Sequence, residues 1–266
     1  MAKKKVHGTC CICLQEGELT FEHVPPRSAF NSSRVQVVQG NAALRLPPGE
    51  ISGGTYQQQG SGGNTLCARC NNNTGAWYAA AFVHWCVASG ELLKQTQGRP
   101  RFTVKDIYPL RIVKAILAMF CSVRGPELVQ AHPALKTLLL DKERNGLPDE
   151  LRIFLHHAVG NVSRSIGFAM QIDLNTGQMT PMTELVFPPF GYLMTYGEDQ
   201  PDPRAIEITS FASHGYSDCG EVDMTLPLVP TVSPFPGDYR TKEELEECAA
   251  ESERFLAAQK VRKDRS

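Results

Sequence analysis

The sequence predicts an α+β fold, on three observations. Two C-x-x-C pairs and one helix occupy the first hundred residues. A strongly amphipathic helix follows at 107–124, and strand-type segments then continue to a capped terminal helix. At 266 residues the chain can hold one large domain or two modest ones, each with its own core.

In chain order, residues 6–24 read as a knuckle from Cys10 to Cys13, a polar turn over 15–18 and a short strand at 19–21. Residues 25–63 read as irregular, because Pro25-Pro26 and Pro47-Pro48 block regular structure. Positions 49–63, with six glycines and Gln57 to Gln59 in a row, are expected to form a mobile loop. Cys67 and Cys70 open a helix expected from Asn72 to Ser89 and stopped by Gly90. Residues 97–103 mark a boundary. Beyond it, Leu110, Val113, Leu117, Phe120 and Cys121 line one face of the helix at 107–124, which Gly125-Pro126 ends, and short helices follow at Leu128 and at 135–140.

Strands are expected at 151–159, 165–174, 192–196, 206–211 and 222–228, with a hairpin turn at Asn175-Thr176-Gly177. A final helix spans 241–259, where Thr241 and Glu244 fit a capping box. The expected organisation is a module at 1–98, a helical and mainly antiparallel β part of unknown role at 99–240, and a terminal helix with a basic tail at 241–266.

Hydrophobic residues at 42% and charged residues at 21% exclude a largely disordered chain. The net charge of −1 carries no global basic field, but it hides an asymmetry. Residues 1–100 hold nine Lys/Arg against five Glu and no Asp, so carboxylate chemistry there must come from glutamate. No apolar run approaches a membrane span, and the lysine-rich start lacks an apolar h-region, so a cytoplasmic protein without membrane contact is expected.

Nine cysteines, an odd count, argue against a secreted disulfide framework. Cys86, Cys121 and Cys219 read as small buried hydrophobes. Cys10, Cys13, Cys67 and Cys70 make a four-thiolate set suited to a closed structural zinc site, with Cys11 left for packing. Between the pairs stand Glu22-His23-Val24-Pro25-Pro26, directly after a strand, and Asn64. Asn71, Asn72 and Asn73 follow the second pair. An acid, an imidazole and an amide suit hydrolysis assisted by a hard cation, with oxygen ligands on the cation and neutral imidazole activating water.

Over residues 8–90 the pattern resembles the zinc-stapled branch of the HNH endonucleases (ββα-metal, or His-Me finger, group). There C-x-x-C is followed by E-H-x-x-P and then C-x-x-C-N-N-x-x-G, and here Cys10–Cys13, Glu22-His23 to Pro26 and Cys67 to Gly75 fill those positions. The resemblance implies that His23 is the general base and that Glu22 and Asn71 hold a catalytic Mg²⁺ or similar divalent ion. Asn64 braces the histidine, with Asn73 its competitor. It implies a metal-dependent endonuclease acting on DNA. Separately, the positive balance of the first hundred residues can support backbone contacts, with Arg27, Arg34, Arg45 and Arg69 as candidates.

Plainer readings stand beside these. His23 and Glu22 make an ordinary ion pair, Asn71 to Asn73 cap a helix, His84 packs, and His156-His157 in a strand point opposite ways and cannot chelate together. Arg111, Lys114 and Arg124 read as a solvated basic face. The rival function is a non-catalytic zinc module binding nucleic acid or protein, with the C-terminal part as the working domain. A third has residues 99–240 sense an activating ligand or protein and switch the nuclease on, by fold-level analogy with bacterial defence effectors. Self-association is open.

Overall fold

A computed structural model describes residues 5–38, 42, 54–95, 101–159, 162–172, 177, 179–197, 200–233 and 235–263. Arg45, positions 49–53 of the expected loop, residues 96–100 and Asn175-Thr176 of the expected turn lie outside them. The architecture is α+β, as the sequence predicts, with helices and antiparallel sheets mixed along the chain.

The N-terminal sheet has the order β1-β2-β5, from β1 (Val6–Thr9), β2 (Glu16–His23) and β5 (Gly62–Cys67), all antiparallel. The knuckle itself makes the β1–β2 turn, since Leu14 takes a φ of 63° and Cys10 N–H donates to the Gln15 carbonyl. Residues 16–18, expected in the turn, therefore belong to β2. From β5 the chain runs directly into α1 (Ala68–Thr74), a π-helical segment (Gly75–Ala79) and α2 (Ala80–Gln95). Gly90 does not end this helix. A Cβ there would stand 2.9 Å from the Phe30 ring, so the glycine serves close packing.

The stretch expected to be irregular carries a ribbon of β3 (Val35–Val37) and β4 (Thr55–Gln57). The Gln57 amide grips Gly62, its Oε1 accepting from the Gly62 N–H at 3.2 Å and its Nε2 donating to the Gly62 carbonyl at 3.4 Å. Positions 54–63 are thus paired and anchored. The mobile-loop expectation fails there because backbone pairing and a side-chain amide replace the apolar burial the segment lacks.

β6 (Arg101–Ile107), which begins inside the expected boundary, pairs with β12 (Gly220–Thr225). It leads to α3 (Pro109–Arg124), the centre of the molecule: from Leu110 to Cys121 only Arg111 is not buried. Proline at the first helical position and Gly125 at φ 92° set its ends. One apolar core runs from Ile12 and Leu66 through Tyr78, Phe82 and Trp85 of the first helices to α3, Leu139, Tyr192 and Phe211.

The basic residues of α3 are not a solvated face. Lys114 is fully buried, its Nζ donating to the Asp141 and Lys142 carbonyls at 2.8 and 3.0 Å, and burial pushes its pKa down to about 8. Arg111 lies between the Tyr108 and Tyr216 rings, and Arg124 stacks on Phe168 and Tyr196. Aromatic faces accept these cations in place of water.

After α4 (Glu127–Ala131) and α5 (Ala134–Leu140), β7 (Leu151–Val159), β8 (Arg164–Ile172), β9 (Met179–Phe187) and β10 (Phe190–Tyr196) build a second sheet in the order β7-β10-β9-β8, with a further short strand beside β7. The expected strand at 206–211 is only β11 (Ile206–Glu207), followed by a 3₁₀ turn at Thr209–Ser213, and β13 (Leu228–Pro230) lies parallel to β7. Inside this part Arg164 grips Glu184 through two hydrogen bonds of 2.9 and 2.8 Å, both side chains are buried, and Tyr239 Oη donates to the same carboxylate. The last helix, α6 (Lys242–Lys263), starts with the expected capping box: Thr241 N–H donates to Glu244 and Glu244 N–H to Thr241 Oγ1. No helix among the described residues is long and apolar enough to cross a membrane.

Candidate functional site

Cys10 and Cys13 come from the knuckle, Cys67 and Cys70 from the end of β5 and the first turn of α1. Their four Sγ atoms lie within 4.8 Å of one another. Cys13 and Cys67 sulfurs are 3.8 Å apart, and a tetrahedron with zinc–sulfur bonds of about 2.3 Å has an edge of about 3.8 Å. The spacing therefore fits a tetrahedral ion such as zinc. Among the thiols themselves, a hydrogen bond from Cys70 brings Cys10 down to about 4, while Cys70, facing that thiolate, and Cys13, by burial, are pushed up. Among the described residues this is the one group of three or more His, Cys, Asp or Glu side chains in ligating reach.

Cys11 is excluded from the set. It is buried beneath the knuckle, and burial raises its thiol to about 12, the behaviour of a packing residue. Cys86 and Cys121 are likewise buried, but Cys219 is exposed in the turn before β12, so the expectation of a buried hydrophobe fails there.

Glu22 and His23 close β2, and strand alternation sends them to opposite sides. Glu22 turns toward α3, where its Oε2 accepts from Ser122 Oγ at 2.5 Å and Thr65 Oγ1 at 3.3 Å. Thr65 Oγ1 also lies 3.0 Å from Ser122 Oγ, so its one proton is shared between Ser122 and Glu22 and closes a three-residue cluster. Burial pushes the Glu22 carboxyl up to about 7 against the pull of both hydroxyls. Neither hydroxyl engages Oε1. His23 faces the other way with the Phe21 ring, 5.1 Å between centroids, and its Nε2 donates to the Gln59 carbonyl at 3.1 Å. That bond leaves Nδ1 as the basic nitrogen of the neutral ring. The two residues do not pair with each other, as the plainer reading had it.

Asn71, one turn into the first helix, donates from Nδ2 to Thr20 Oγ1 at 3.0 Å and to the Phe21 carbonyl at 3.1 Å, which ties the helix to β2 beside Glu22. Its Oδ1 is the remaining ligand atom. A carboxylate and an amide oxygen are both donor types that hard divalent cations accept. Asn64 is exposed opposite Phe21 in the sheet, on the side of His23, while the histidine's own described partner is Gln59. Asn72 is exposed and Asn73 half-buried. His84 is exposed and meets the Lys105 carbonyl through Nε2. Sequence reasoning missed Gln59, Thr65 and Ser122. Ser122 carries no local signal, because its contact with Glu22 spans a hundred positions.

No protein-family model matches the chain, and no curated protein and no solved structure shows significant similarity to it.

Proposed function

We propose that the chain is a metal-dependent endonuclease of the HNH kind that hydrolyses phosphodiester bonds in DNA, its β2, β5 and first helix forming the ββα unit. The observation that carries this reading is the His23–Gln59 bond, which fixes the imidazole with Nδ1 basic at the half-exposed end of β2. A buried packing histidine needs no such orientation. A general base does.

In an in-line displacement attacking water and leaving oxygen lie on opposite sides of phosphorus, so the base and the cation act on opposite sides of the phosphate. His23 takes the proton of the water through Nδ1, while Gln59 keeps the ring from rotating. Asn71 holds the helix against β2, and Glu22 is kept in one orientation by Ser122 and Thr65. A divalent cation held by Glu22 and Asn71 would supply positive charge for the departing 3′ oxygen. The four-cysteine set acts only as a staple. The rival is a binding module without catalysis, which the engagement of Glu22 by two hydroxyls favours.

Incubating the zinc-loaded full chain with supercoiled plasmid and Mg²⁺ or Mn²⁺ decides between them. Nicking that falls about 10²–10⁴-fold in His23→Ala, with zinc content unchanged, supports the nuclease. A folded wild type that binds DNA and never cuts it supports the binding module.

A further inference from the structure

We infer that the face carrying His23 is built to take unpaired bases, so that the DNA presented to the proposed site is single-stranded; this rests on the nuclease reading. Phe21 sits on that face with 45% of its surface exposed, although it is a large apolar side chain at the middle of a paired strand. Gly62, across the sheet, has no side chain: a Cβ there would stand 2.1 Å from the Glu22 carbonyl and 2.9 Å from two ring atoms of Phe21, so the close backbone approach requires the glycine and also leaves the ring room over β5. The His23 ring meets Phe21 edge to face and fixes it from the other side.

A second exposed ring is tied to the same point. Tyr56 of β4 is 54% exposed, and the Arg34 guanidinium lies 3.8 Å above its centroid. The neighbouring residue, Gln57, grips both backbone groups of Gly62, the residue under Phe21. The next contact along the chain is Gln59 to His23. Gln57, Gly62, Gln59 and His23 thus share one hydrogen-bonded frame, with Tyr56 next to it in β4.

The charges on this part of the chain suit a polyanion. From residue 19 to residue 90 the chain has four arginines and no lysine against Glu22 and Glu50. Arg27, Arg34 and Arg69 are exposed, whereas Glu22 is engaged by hydroxyls. Exposed aromatic faces among arginines are the elements that hold single strands, because every unpaired base offers a face to stack while phosphates pair with the cations. In a duplex those faces are already covered by neighbouring base pairs.

The test is anisotropy of a fluorescent mixed-sequence oligonucleotide, single-stranded or annealed to its complement. The zinc-loaded full chain is used without added divalent ion, so the strand stays intact. The single strand is expected to bind about ten-fold more tightly than the duplex, and Phe21→Ala and Tyr56→Ala each to weaken it about ten-fold. Phe21→Trp should restore binding and Phe21→Leu should not, since leucine keeps the apolar surface and loses the ring face. Duplex binding equal to or tighter than single-strand binding overturns the inference, as does a Phe21→Leu variant that binds like the parent. The readout is separate from cleavage: a protein that cuts duplex plasmid with Phe21 dispensable keeps the nuclease and loses this face. A ring-dependent single-strand binder that never cuts loses the nuclease and keeps it.

Discussion

Ser122 Oγ donates to Glu22 Oε2 at 2.5 Å, so a residue of the central helix holds the carboxylate at the end of β2. Thr65 supports the same oxygen more weakly, at 3.3 Å. Ser122→Ala removes the shorter bond and leaves a half-buried carboxyl with one distant donor, which should reduce stability by about 1–2 kcal/mol. With that hydroxyl gone, the Glu22 carboxyl should rise further from its already raised value, because burial then acts against one hydroxyl alone. Urea unfolding of Ser122→Ala and Ser122→Thr checks this. Threonine should recover most of the loss, and an alanine variant as stable as the parent would show the bond to be idle.

The four-cysteine set predicts a different failure. Because these sulfurs join the knuckle to the helix start, removing the metal should loosen the N-terminal module; metal binding at such sites is worth about 10–16 kcal/mol in small zinc peptides. Metal analysis of Cys67→Ser should show zinc lost, while Cys11→Ser, whose thiol is buried away from the set, should keep its full zinc content. Equal zinc in both variants would refute the assignment.

Much of this was legible in the sequence where the physics is local. The C-x-x-C spacing gives the knuckles, the apolar period of 110–121 gives the central helix, and Thr241 with Glu244 gives a cap that forms as read. What was not legible depends on distant partners. Lys114 reads as a surface cation until the carbonyls of Asp141 and Lys142 arrive to take its ammonium. The 54–63 stretch reads as loose until β3 and the Gln57 amide pair it. β9 was missed because Pro181 interrupts its pattern, and the sheet tolerates that proline in the register with Met170 of the edge strand β8. The histidine at 23 was legible as a candidate base, but not its Gln59 partner, which a backbone carbonyl supplies without any side-chain signature.

Arg164 and Glu184 form the buried ion pair of the second sheet, with Tyr239 donating to the same carboxylate. Arg164→Met strands a buried carboxylate and should reduce stability by about 3–5 kcal/mol. The double variant Arg164→Met/Glu184→Leu removes both charges and should be more stable than Arg164→Met alone. A double-mutant cycle in urea measures the difference, and strict additivity of the two single losses would count against a coupled pair.

His156 gives the pH dependence. It is 1% exposed, neither ring nitrogen has a hydrogen-bond partner among the described residues, and its ring packs edge to face on Tyr239. Gly191 faces it so closely that a Cβ there would stand 2.1 Å from the imidazole. Burial, helped by Arg164, pushes the histidine down to about 3, so the folded chain keeps it neutral. The unfolded chain protonates it below about 6.5. Between those values the unfolded state holds the extra proton, so stability falls as pH drops from about 6.5 toward 3, by a few kcal/mol in all. Of the groups that face it, Arg164 and Arg204 present guanidinium cations, which disfavour its protonation, and Asp202, held below the usual carboxylate range by Arg204, favours it. His157, also lowered by burial, adds a smaller slope of the same sign. His156→Leu fills a similar volume with no nitrogen to protonate. It should match the parent near pH 7.5, exceed it near pH 5, and flatten the acid limb to the residue left by His157. Urea midpoints at the two pH values measure this, and an acid limb unchanged in His156→Leu would assign the dependence to other groups.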